Sequence, residues 1–280
     1  MDRPAVVYLL RAKNGLAPAQ RFFQSYRAMP AGMDHELVVV FKGFSKDSEI
    51  EPYLRLFQNE IHRTLSISDF GFDLRAYRLA AEQLSAKHIC FLNSFSEILS
   101  PGWLEKLHHA MIQTDVALVG ATGSCESMHT NAVADLSSTA SPLNRLWRKA
   151  HAVACQRLFF PFPNYHIRTN GFMMERQLML KLWPRVILTK RRAYLFESGR
   201  QSLTQKIIKR GLKPLIVGLD GQIFEKEFWS RSGTFRQGSQ ENLLIADNQT
   251  RAFAEADVAL KTRLAAKAWG NFALVDGERK

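Results

Sequence analysis

One carboxylate in the second half of the chain lies among basic and aromatic residues. Glu197 is the acid of the segment Tyr194-Leu195-Phe196-Glu197-Ser198-Gly199-Arg200. A carboxylate among cations stays ionised and can accept a proton from a hydroxyl group that lies within hydrogen-bond reach. Glu197 is therefore a candidate general base. The alternative is an ion pair with Arg191, Arg192 or Arg200.

Cationic side chains that could neutralise a diphosphate follow three candidate strands. Arg11 and Lys13 follow the first, Lys42 the second and Arg75 the third. Ligands of open α/β sheets bind beyond the carboxyl ends of the strands, so these residues lie where such a ligand would be. Each could equally be an ordinary surface charge. Asp73 could bind the polar atoms of a nucleoside or cap the helix that follows it.

A sheet flanked by helices is needed to hold these residues, and the sequence pattern predicts one. Short apolar runs rich in β-formers alternate with helical patterns. The predicted strands are Ala5 to Leu10, Glu36 to Phe41, Ile61 to Ile67, His88 to Leu92 and Val116 to Gly120, and the predicted helices are Pro18 to Met29, Phe72 to Ala86 and Pro101 to Gln113. The alternation predicts an α/β fold: a single large domain with a mostly parallel central sheet and helices on both faces.

This alternation breaks after the fifth strand. Ser124 to Ser141 is rich in small and polar residues and predicts a long loop. Pro142 to Phe160 has apolar residues at helical spacing beside Arg and Lys, which predicts a basic amphipathic helix. Its apolar stripe either packs on the sheet, which we favour, or faces a membrane. The remaining predicted elements are a strand at Tyr165 to Asn170, helices at Glu175 to Leu182 and Ser202 to Arg210, a strand at Pro214 to Leu219 and a helical tail over Ser239 to Trp269.

The positive charge is concentrated in the middle of the chain. The 280 residues include 38 basic and 26 acidic ones, which gives a net charge of +12. Between Arg145 and Lys213 there are sixteen Lys or Arg and two acids, Glu175 and Glu197, so the rest of the chain is slightly acidic. Such a block predicts an anionic partner, which could be a phosphate-bearing substrate, an acidic lipid surface or nucleic acid. A solvated basic face is the alternative.

Cysteine usage and hydropathy indicate a compartment. Cys90, Cys125 and Cys155 are scattered, which predicts a reducing environment and argues against a structural zinc site. No apolar run approaches the roughly 20 residues that cross a bilayer, and the first residues do not resemble a signal peptide. We therefore expect a cytoplasmic protein. If the protein contacts a membrane, we expect it to do so peripherally, on the inner face of the plasma membrane.

Several enzyme classes lack their motifs in this sequence. There is no G-x-G-x-x-G after the first strand and no phosphate-binding P-loop. The serine-hydrolase elbow G-x-S-x-G, the zinc motif H-E-x-x-H and the deaminase pair H-x-E with C-x-x-C are also missing. His108 and His109 fall in a predicted helix, and we interpret them as surface or packing residues.

Four segments together resemble a known enzyme family. The stretch His88-Ile-Cys-Phe-Leu-Asn-Ser-Phe-Ser-Glu-Ile-Leu-Ser-Pro-Gly-Trp-Leu104 resembles the segment of family 2 glycosyltransferases of GT-A fold that carries the metal-binding D-x-D followed by Pro-Gly-Trp-Leu. Gly71 to Tyr77 is similar to the loop and helix start that face the nucleotide, and Arg168 to Phe172 to the strand before the acceptor-side helix. Phe196-Glu197, with the helix that ends at Gly211, resembles the acidic motif that supplies the catalytic base.

The resemblance implies an inverting enzyme that moves a sugar from a nucleotide-diphosphate donor to a hydroxyl of a bacterial surface polysaccharide or lipid-linked glycan. Glu197 would be its general base. The implied donor-binding residues are Arg11, Lys13, Lys42, Asp73, Arg75, Asn93 and Ser94, and the implied acceptor-side residues are Arg168, Asn170 and Arg200. The chain would divide into a nucleotide-sugar-binding half (1–123), a mobile loop with the basic helix (124–164), an acceptor-side half (165–238) and a C-terminal helical extension (239–280).

The metal-binding motif of the family is altered in this chain. Asn93-Ser94-Phe95 occupies the place of D-x-D, a form similar to that of bacterial enzymes that assemble rhamnose-rich and O-antigen polysaccharides. A hard divalent cation prefers carboxylate oxygens, and only Glu97 remains nearby. We therefore expect no metal requirement, with weak binding of Mg²⁺ or Mn²⁺ left open. Cations would then neutralise the leaving diphosphate, and the candidates are Arg11, Lys13, Arg75, Arg200 and Arg231 or Arg236.

Two alternatives come from other functional classes. The altered motif could mark a non-catalytic protein that binds a nucleotide or glycan and acts as a docking protein; it would bind ligand without turnover. Nucleic-acid binding could use the basic block with Trp147, Phe159, Phe160 and Phe162 as stacking residues. We expect no nucleic-acid partner, because no recognised motif accompanies the charge.

Overall fold

The first half of the chain alternates strands and helices as predicted. The structure, a computed structural model, describes residues 3–57, 60–61, 63–137 and 142–270. Its first elements are β1 (Ala5–Arg11), α1 (Leu16–Ala28), β2 (Glu36–Lys42), α2 (Asp47–Phe57), β3 (Arg63–Ile67), α3 (Asp73–Gln83), β4 (His88–Leu92), β5 (Glu97–Ile98), α4 (Trp103–Met111) and β6 (Val116–Gly120). The unpredicted helix is α2, which begins with acidic side chains in its first turn and contains Pro52.

The second half is richer in short elements. They are β7 (Gly123–Ser124), α5 (Met128–Ala134), α6 (Pro142–Leu158), β8 (His166–Ile167), β9 (Gly171–Glu175), α7 (Arg176–Leu182), α8 (Lys190–Ser198), α9 (Leu203–Ile208), β10 (Lys213–Val217), β11 (Ile223–Phe224), β12 (Ile245–Ala246), α10 (Asn248–Glu255) and α11 (Val258–Trp269). In the part of the chain that the structure describes, no helix has the length and apolar character that a membrane crossing requires.

In the described part of the chain, eight strands form one central sheet in the order β11-β10-β6-β9-β4-β1-β2-β3. β3, β2, β1 and β4 pair in parallel, β9 lies antiparallel between β4 and β6, β10 is parallel to β6, and β11 closes the edge as an antiparallel strand. The predicted α/β class with a mostly parallel central sheet is therefore confirmed. Since β9 joins the sheet between strands of the first half, the predicted donor and acceptor halves share one sheet.

Helices cover both faces of this sheet, as predicted. Successive residues of β1 point to opposite faces, so Val6, Tyr8 and Leu10 pack with Phe22 of α1 and Trp103 of α4 in one apolar core. Ala5, Val7 and Leu9 pack in the other core with side chains of α3, α7 and α9. Because helices bury both faces of the sheet, the carboxyl ends of its strands are where a ligand can reach it.

The strand predicted at Tyr165 to Asn170 is largely wrong. Only the two residues of β8 are extended there, and they pair with β7 outside the central sheet. The strand that enters the sheet is β9, in which Gly171 to Met174 are buried. A strand covered on both faces has no alternation of polar and apolar residues, so the period-2 pattern does not mark it.

Two further predictions are corrected by the same structure. The stretch Ser124 to Ser141 is not one loop, since β7 and α5 lie in it; residues 138–141 lie outside the described residues. α5 begins where the Ser127 hydroxyl accepts a hydrogen bond from the Thr130 backbone N–H. The C-terminal extension becomes helical only at Asn248, and its residues 271–280 also lie outside the description.

The basic helix α6 does not pack its predicted apolar stripe on the sheet. Its buried side chains, Ala152 and Cys155, form a small separate core with Ala132 of α5 and with Phe159. Leu146, Trp147 and Val153 of the predicted stripe are exposed instead. The interpretation that we favoured from sequence is therefore wrong: Leu158 packs against this small core, whereas Leu146, Trp147 and Val153 do not cover the sheet.

Candidate active site

A cleft of about 550 Å³ opens at the carboxyl ends of β1 and β4. Arg11 is the last residue of β1 and Asn93 follows β4, so two of its walls come from strand ends. The start of α3, the segment after β8, one face of α8 and the start of α10 supply the others. The cleft brings together six of the predicted site residues, namely Arg11, Asp73, Asn93, Arg168, Asn170 and Glu197.

Glu197 faces this cleft from α8. Its Oε1 accepts a hydrogen bond from the Thr169 hydroxyl at 2.5 Å. Among the described residues its carboxylate forms no ion pair, so the predicted alternative of a salt bridge to Arg191, Arg192 or Arg200 is not realised. Burial raises the pKa of Glu197, and the negative charge of Asp73 adds to this, while the Thr169 hydrogen bond and Arg168 act the other way. A carboxylate with a raised pKa is a stronger base than an exposed glutamate.

The hydrogen bond from Thr169 leads to a prediction about this pKa. We expect Thr169→Val to raise the pKa of Glu197 further, because the lost bond favours the ionised carboxylate. The side-chain carboxyl carbon of Glu197, followed by NMR during a pH titration, reports the change. Thr262→Val removes a hydroxyl from an exposed helix and is the matched control. An unchanged or lower pKa in Thr169→Val would contradict this account of the carboxyl group.

On the β1 side, a network of charges shapes the wall of the cleft. Lys42 is fully buried, and its Nζ donates to the Asp69 and Gly71 carbonyl oxygens at 2.6 and 2.9 Å and to Asp69 Oδ1 at 3.0 Å. Arg11 donates to the same Oδ1 at 2.7 Å and lies 3.5 Å from Asp73 Oδ1. Hydrogen bonding from Arg11 lowers the pKa of Asp69 to about 2, whereas burial raises that of Asp73. Lys42 thus holds the loop after β3 and does not line the cleft.

The side-chain oxygen of Asn93, at the altered metal motif, is hydrogen-bonded within the protein. Asn93 Oδ1 accepts hydrogen bonds from the Phe95 backbone N–H at 2.9 Å and from the Ser96 hydroxyl at 3.3 Å. Both partners are donors, so the side-chain amide must present its NH₂ group elsewhere. Asn170 Oδ1 likewise accepts a hydrogen bond from the Thr122 hydroxyl at 2.9 Å, and its buried Nδ2 has no hydrogen-bond partner among the described residues. The NH₂ groups are what these two cleft-lining amides have left to donate, and that of Asn170 is buried.

The side chains at the altered motif, Asn93 with its neighbours Asn170 and Glu97, do not fit a hard divalent cation. Such a cation takes oxygen ligands, chiefly carboxylates. The oxygens of Asn93 and Asn170 are already used by other groups. Glu97 Oε2 pairs with Arg251 Nη1 at 2.9 Å and does not line the cleft. Within residues 3–57, 60–61, 63–137 and 142–270, no three His, Cys, Asp or Glu side chains are grouped to hold a metal.

A buried ion pair forms the far wall of the cleft. Arg168 Nη2 donates to Asp247 Oδ2 at 2.7 Å, and the two side chains are 10% and 2% exposed. The other oxygen of Asp247 accepts the backbone N–H groups of Gln249 and Thr250 and so caps α10. Arg168 also lies 4.0 Å above the Phe235 ring. The segment before α10 thus both caps a helix and lines the cleft.

The other predicted site residues lie outside the cleft. Lys13 is exposed in the short 3-10 helix after β1, and Arg75 contacts Phe70 through its carbonyl and ring. Arg200 donates to the Gln156 carbonyl near the end of α6 and lies over Phe160. Ser94 is buried. Binding roles for these residues stay predictions, and they would require movement of the side chains described here.

His166 is a cleft residue that the sequence analysis missed. Its Nδ1 lies 2.8 Å from the Asn164 carbonyl oxygen, which can only accept, so Nδ1 carries the proton and Nε2 is the acceptor. Burial lowers the pKa of His166 and favours the neutral ring. The sequence does carry a signal for His166. In an extended segment alternate side chains share one side, so the polar series His166, Arg168, Asn170 could have placed His166 beside the two predicted site residues.

Comparisons with known proteins give structural likeness only. No protein-family model and no curated protein matches the sequence. Glucosyl-3-phosphoglycerate synthase from Mycobacterium tuberculosis, solved with Mn²⁺, UDP and glucosyl-3-phosphoglycerate, aligns at 17% identity over 64% of this chain and 58% of its own, with a TM-score of 0.38. 4-Diphosphocytidyl-2C-methyl-D-erythritol synthase from Anaerococcus prevotii aligns at 11% identity over 77% of this chain and 88% of its own, with a TM-score of 0.45. This chain spans less than two thirds of the length of the M. tuberculosis enzyme.

Proposed function

We propose that the cleft transfers a glycosyl group from a nucleotide-diphosphate sugar to an acceptor hydroxyl, as expected for the GT-A type resemblance of the sequence. The observation that carries the proposal is the state of Glu197: a carboxylate of raised pKa, hydrogen-bonded to one hydroxyl, in a cleft at the carboxyl ends of parallel strands. A general base needs this combination of access and basicity. The acceptor would be a hydroxyl of a surface polysaccharide or a lipid-linked glycan.

In the proposed reaction one bond forms as another breaks. The acceptor oxygen attacks the anomeric carbon, the bond from that carbon to the diphosphate oxygen breaks, and the nucleoside diphosphate leaves with the electron pair. Glu197 takes the proton of the acceptor hydroxyl. Attack from the face opposite the leaving group inverts the anomeric configuration.

Charge in the cleft decides where the diphosphate can bind. Three cationic side chains line it: Arg11, Arg168 and Lys190. Arg11 and Arg168 are held by carboxylates, whereas the ion pairs of the described residues do not include Lys190. Arg11 adjoins the start of α3, where the resemblance expects the nucleotide, and so we assign it to the donor. Lys190, with the amide groups of Asn93 and Asn170, supplies further donors for phosphate or sugar oxygens.

The proposal is tested by ligand-induced thermal stabilisation. We expect one nucleoside diphosphate, and its nucleotide sugar, to raise the melting temperature equally in EDTA and in Mn²⁺ or Mg²⁺. At about one hundred times Kd, a ligand adds roughly 2.7 kcal/mol of stability, which is a shift of several degrees. Arg11→Gln should reduce the shift, and Arg55→Gln, on an exposed helix, should not. The absence of any shift at millimolar ligand, or a shift only with metal, would contradict the proposed site.

The non-catalytic docking function is the second candidate, and one observation favours it. The oxygen of Asn93, at the position of the family's metal motif, is used within the protein. A protein that had lost transfer activity would keep the cleft and bind the nucleotide or glycan without consuming it. Ligand binding that is unaffected by Glu197→Gln, together with no turnover by the unaltered protein, would support this candidate over the first.

A further inference from the structure

The outward face of α6 is apolar and exposed. Leu146, Trp147 and Val153 are 69%, 73% and 51% exposed. Leu146, Ala150 and Val153 are spaced by four and three residues, so they form one stripe along the helix, with Trp147 next to Leu146 in the sequence. Large apolar side chains grouped in this way on a soluble surface mark an interaction site rather than chance exposure.

Positive charge flanks this stripe. Lys149 and Arg157 are exposed beside it, and α6 contains Arg145 and Arg148 but no acidic residue over Pro142–Leu158. A symmetric contact with a second copy of the chain would bring the same positive helix against itself. The charge therefore favours a negatively charged partner over self-association.

We propose that α6 docks the protein on the surface of an anionic lipid bilayer. An interfacial helix of this kind carries Lys and Arg beside an apolar face that contains Trp and Leu, and it lies in the plane of the headgroups. Trp147 would sit at the headgroup level, where the indole ring partitions favourably, with the neighbouring Leu146 and Val153 below it. Lys149 and Arg157 would contact the negative headgroups.

The docking surface is close to the cleft through α8. Leu195 of α8 packs against the small core that α6 shares with α5, and Arg191 is near enough to Cys155 to affect the pKa of that thiol. The same helix α8 presents Lys190, Tyr194 and Glu197 to the cleft. A bilayer against α6 would therefore lie one helix away from Glu197, where a lipid-anchored acceptor could reach.

Trp147 gives a spectroscopic test that needs no substrate. The sequence has five Trp, and the other four, Trp103, Trp183, Trp229 and Trp269, are at most 3% exposed. With vesicles of phosphatidylcholine and phosphatidylglycerol at low salt, we expect the emission of Trp147 to shift to shorter wavelength and the protein to sediment. Pure phosphatidylcholine should produce neither effect. The difference between the protein and Trp147→Phe isolates the signal of this one residue.

Paired charge reversals distinguish docking through α6 from non-specific binding to vesicles. Lys149→Glu with Arg157→Glu should lower the vesicle partition coefficient by roughly 25-fold or more, because each basic residue near an anionic surface contributes about fivefold. Lys261→Glu with Arg263→Glu, two charge reversals on another helix, α11, is the matched control and should change nothing. Equal binding to neutral vesicles, no binding to either, or binding to a single-stranded oligonucleotide but not to vesicles would overturn the proposal. Vesicle binding requires no donor, so its failure is distinct from failure of the glycosyl-transfer proposal.

Discussion

Replacing Glu197 by Gln is expected to lower the turnover rate by about 10²–10⁴-fold, the usual contribution of a general base. Gln keeps the size of the side chain and can still accept from the Thr169 hydroxyl, but it cannot take the proton of the acceptor. Donor binding should change little. The rate is measured as release of nucleoside diphosphate from the donor identified by the thermal screen.

The same substitution should not weaken the fold. Burial raises the pKa of Glu197 above that of an unfolded glutamate. The stability that this group contributes is therefore present below its unfolded pKa and is lost as the pH rises through the folded pKa. At pH 7 the ionised group opposes folding, so Glu197→Gln should be as stable as the unaltered protein or more so, and the difference should vanish in acid. Urea unfolding at pH 7 and pH 4 measures it.

Glu175→Gln is the matched control, since Glu175 is the other acid of the basic block and lies at the far end of β9. Full turnover in Glu197→Gln would show that Glu197 is not the general base of the reaction. Lost turnover together with a lower unfolding free energy at pH 7 would indicate a structural role instead of a chemical one.

Replacing Arg168 by Met is expected to lower the free energy of unfolding by about 3–5 kcal/mol, because removing one partner leaves a buried charge uncompensated. The remaining charge is that of Asp247, whose side chain is 2% exposed. Arg168→Met also loses the contacts with the Thr122 hydroxyl and the Phe235 ring. Urea unfolding at neutral pH measures the loss.

A second substitution makes this prediction specific. Asp247→Asn in the Arg168→Met background removes the unpaired charge and keeps a good N-cap for α10, so it should restore part of the lost stability. Arg55→Met breaks an exposed ion pair with Glu51 and should cost no more than about 1 kcal/mol. Equal losses in Arg168→Met and Arg55→Met, or no recovery in the double variant, would show that the buried pair does not hold the cleft wall.

The sheet and much of the cleft could be predicted from the sequence. Alternating strands and helices fix a parallel sheet, and the carboxyl ends of its strands meet at one edge. Arg11, which follows the first predicted strand, lies at that edge for this reason. Glu197 lies on a helix rather than a strand, and it is a candidate because it stands isolated among cations in the sequence, a chemical signal that does not depend on the fold.

Interactions between distant segments could not be predicted. The partner of Arg168 is 79 residues away, and the partner of Glu97 is 154 residues away. The side-chain oxygen of Asn93 accepts a hydrogen bond from the backbone of the turn that follows it. This hydrogen bond depends on backbone geometry and not on residue type. For α6, the stripe of apolar residues could be predicted from the sequence, but the side of the helix that packs against the rest of the protein could not. That choice depends on the small side chains of Ala152 and Cys155, which fit against α5.

The most direct test of the central claim is turnover of nucleotide-diphosphate sugars in the presence of EDTA. A panel of donors is incubated with the protein and with a lipid-linked glycan fraction as acceptor, and the released nucleoside diphosphate is quantified for the unaltered protein and for Glu197→Gln. We predict that one donor is consumed, that EDTA does not slow its consumption, and that Glu197→Gln slows it by about 10²–10⁴-fold. Consumption at an undiminished rate in Glu197→Gln, or binding of a donor with no consumption by the unaltered protein, would contradict the assignment of this cleft as a glycosyl-transfer site.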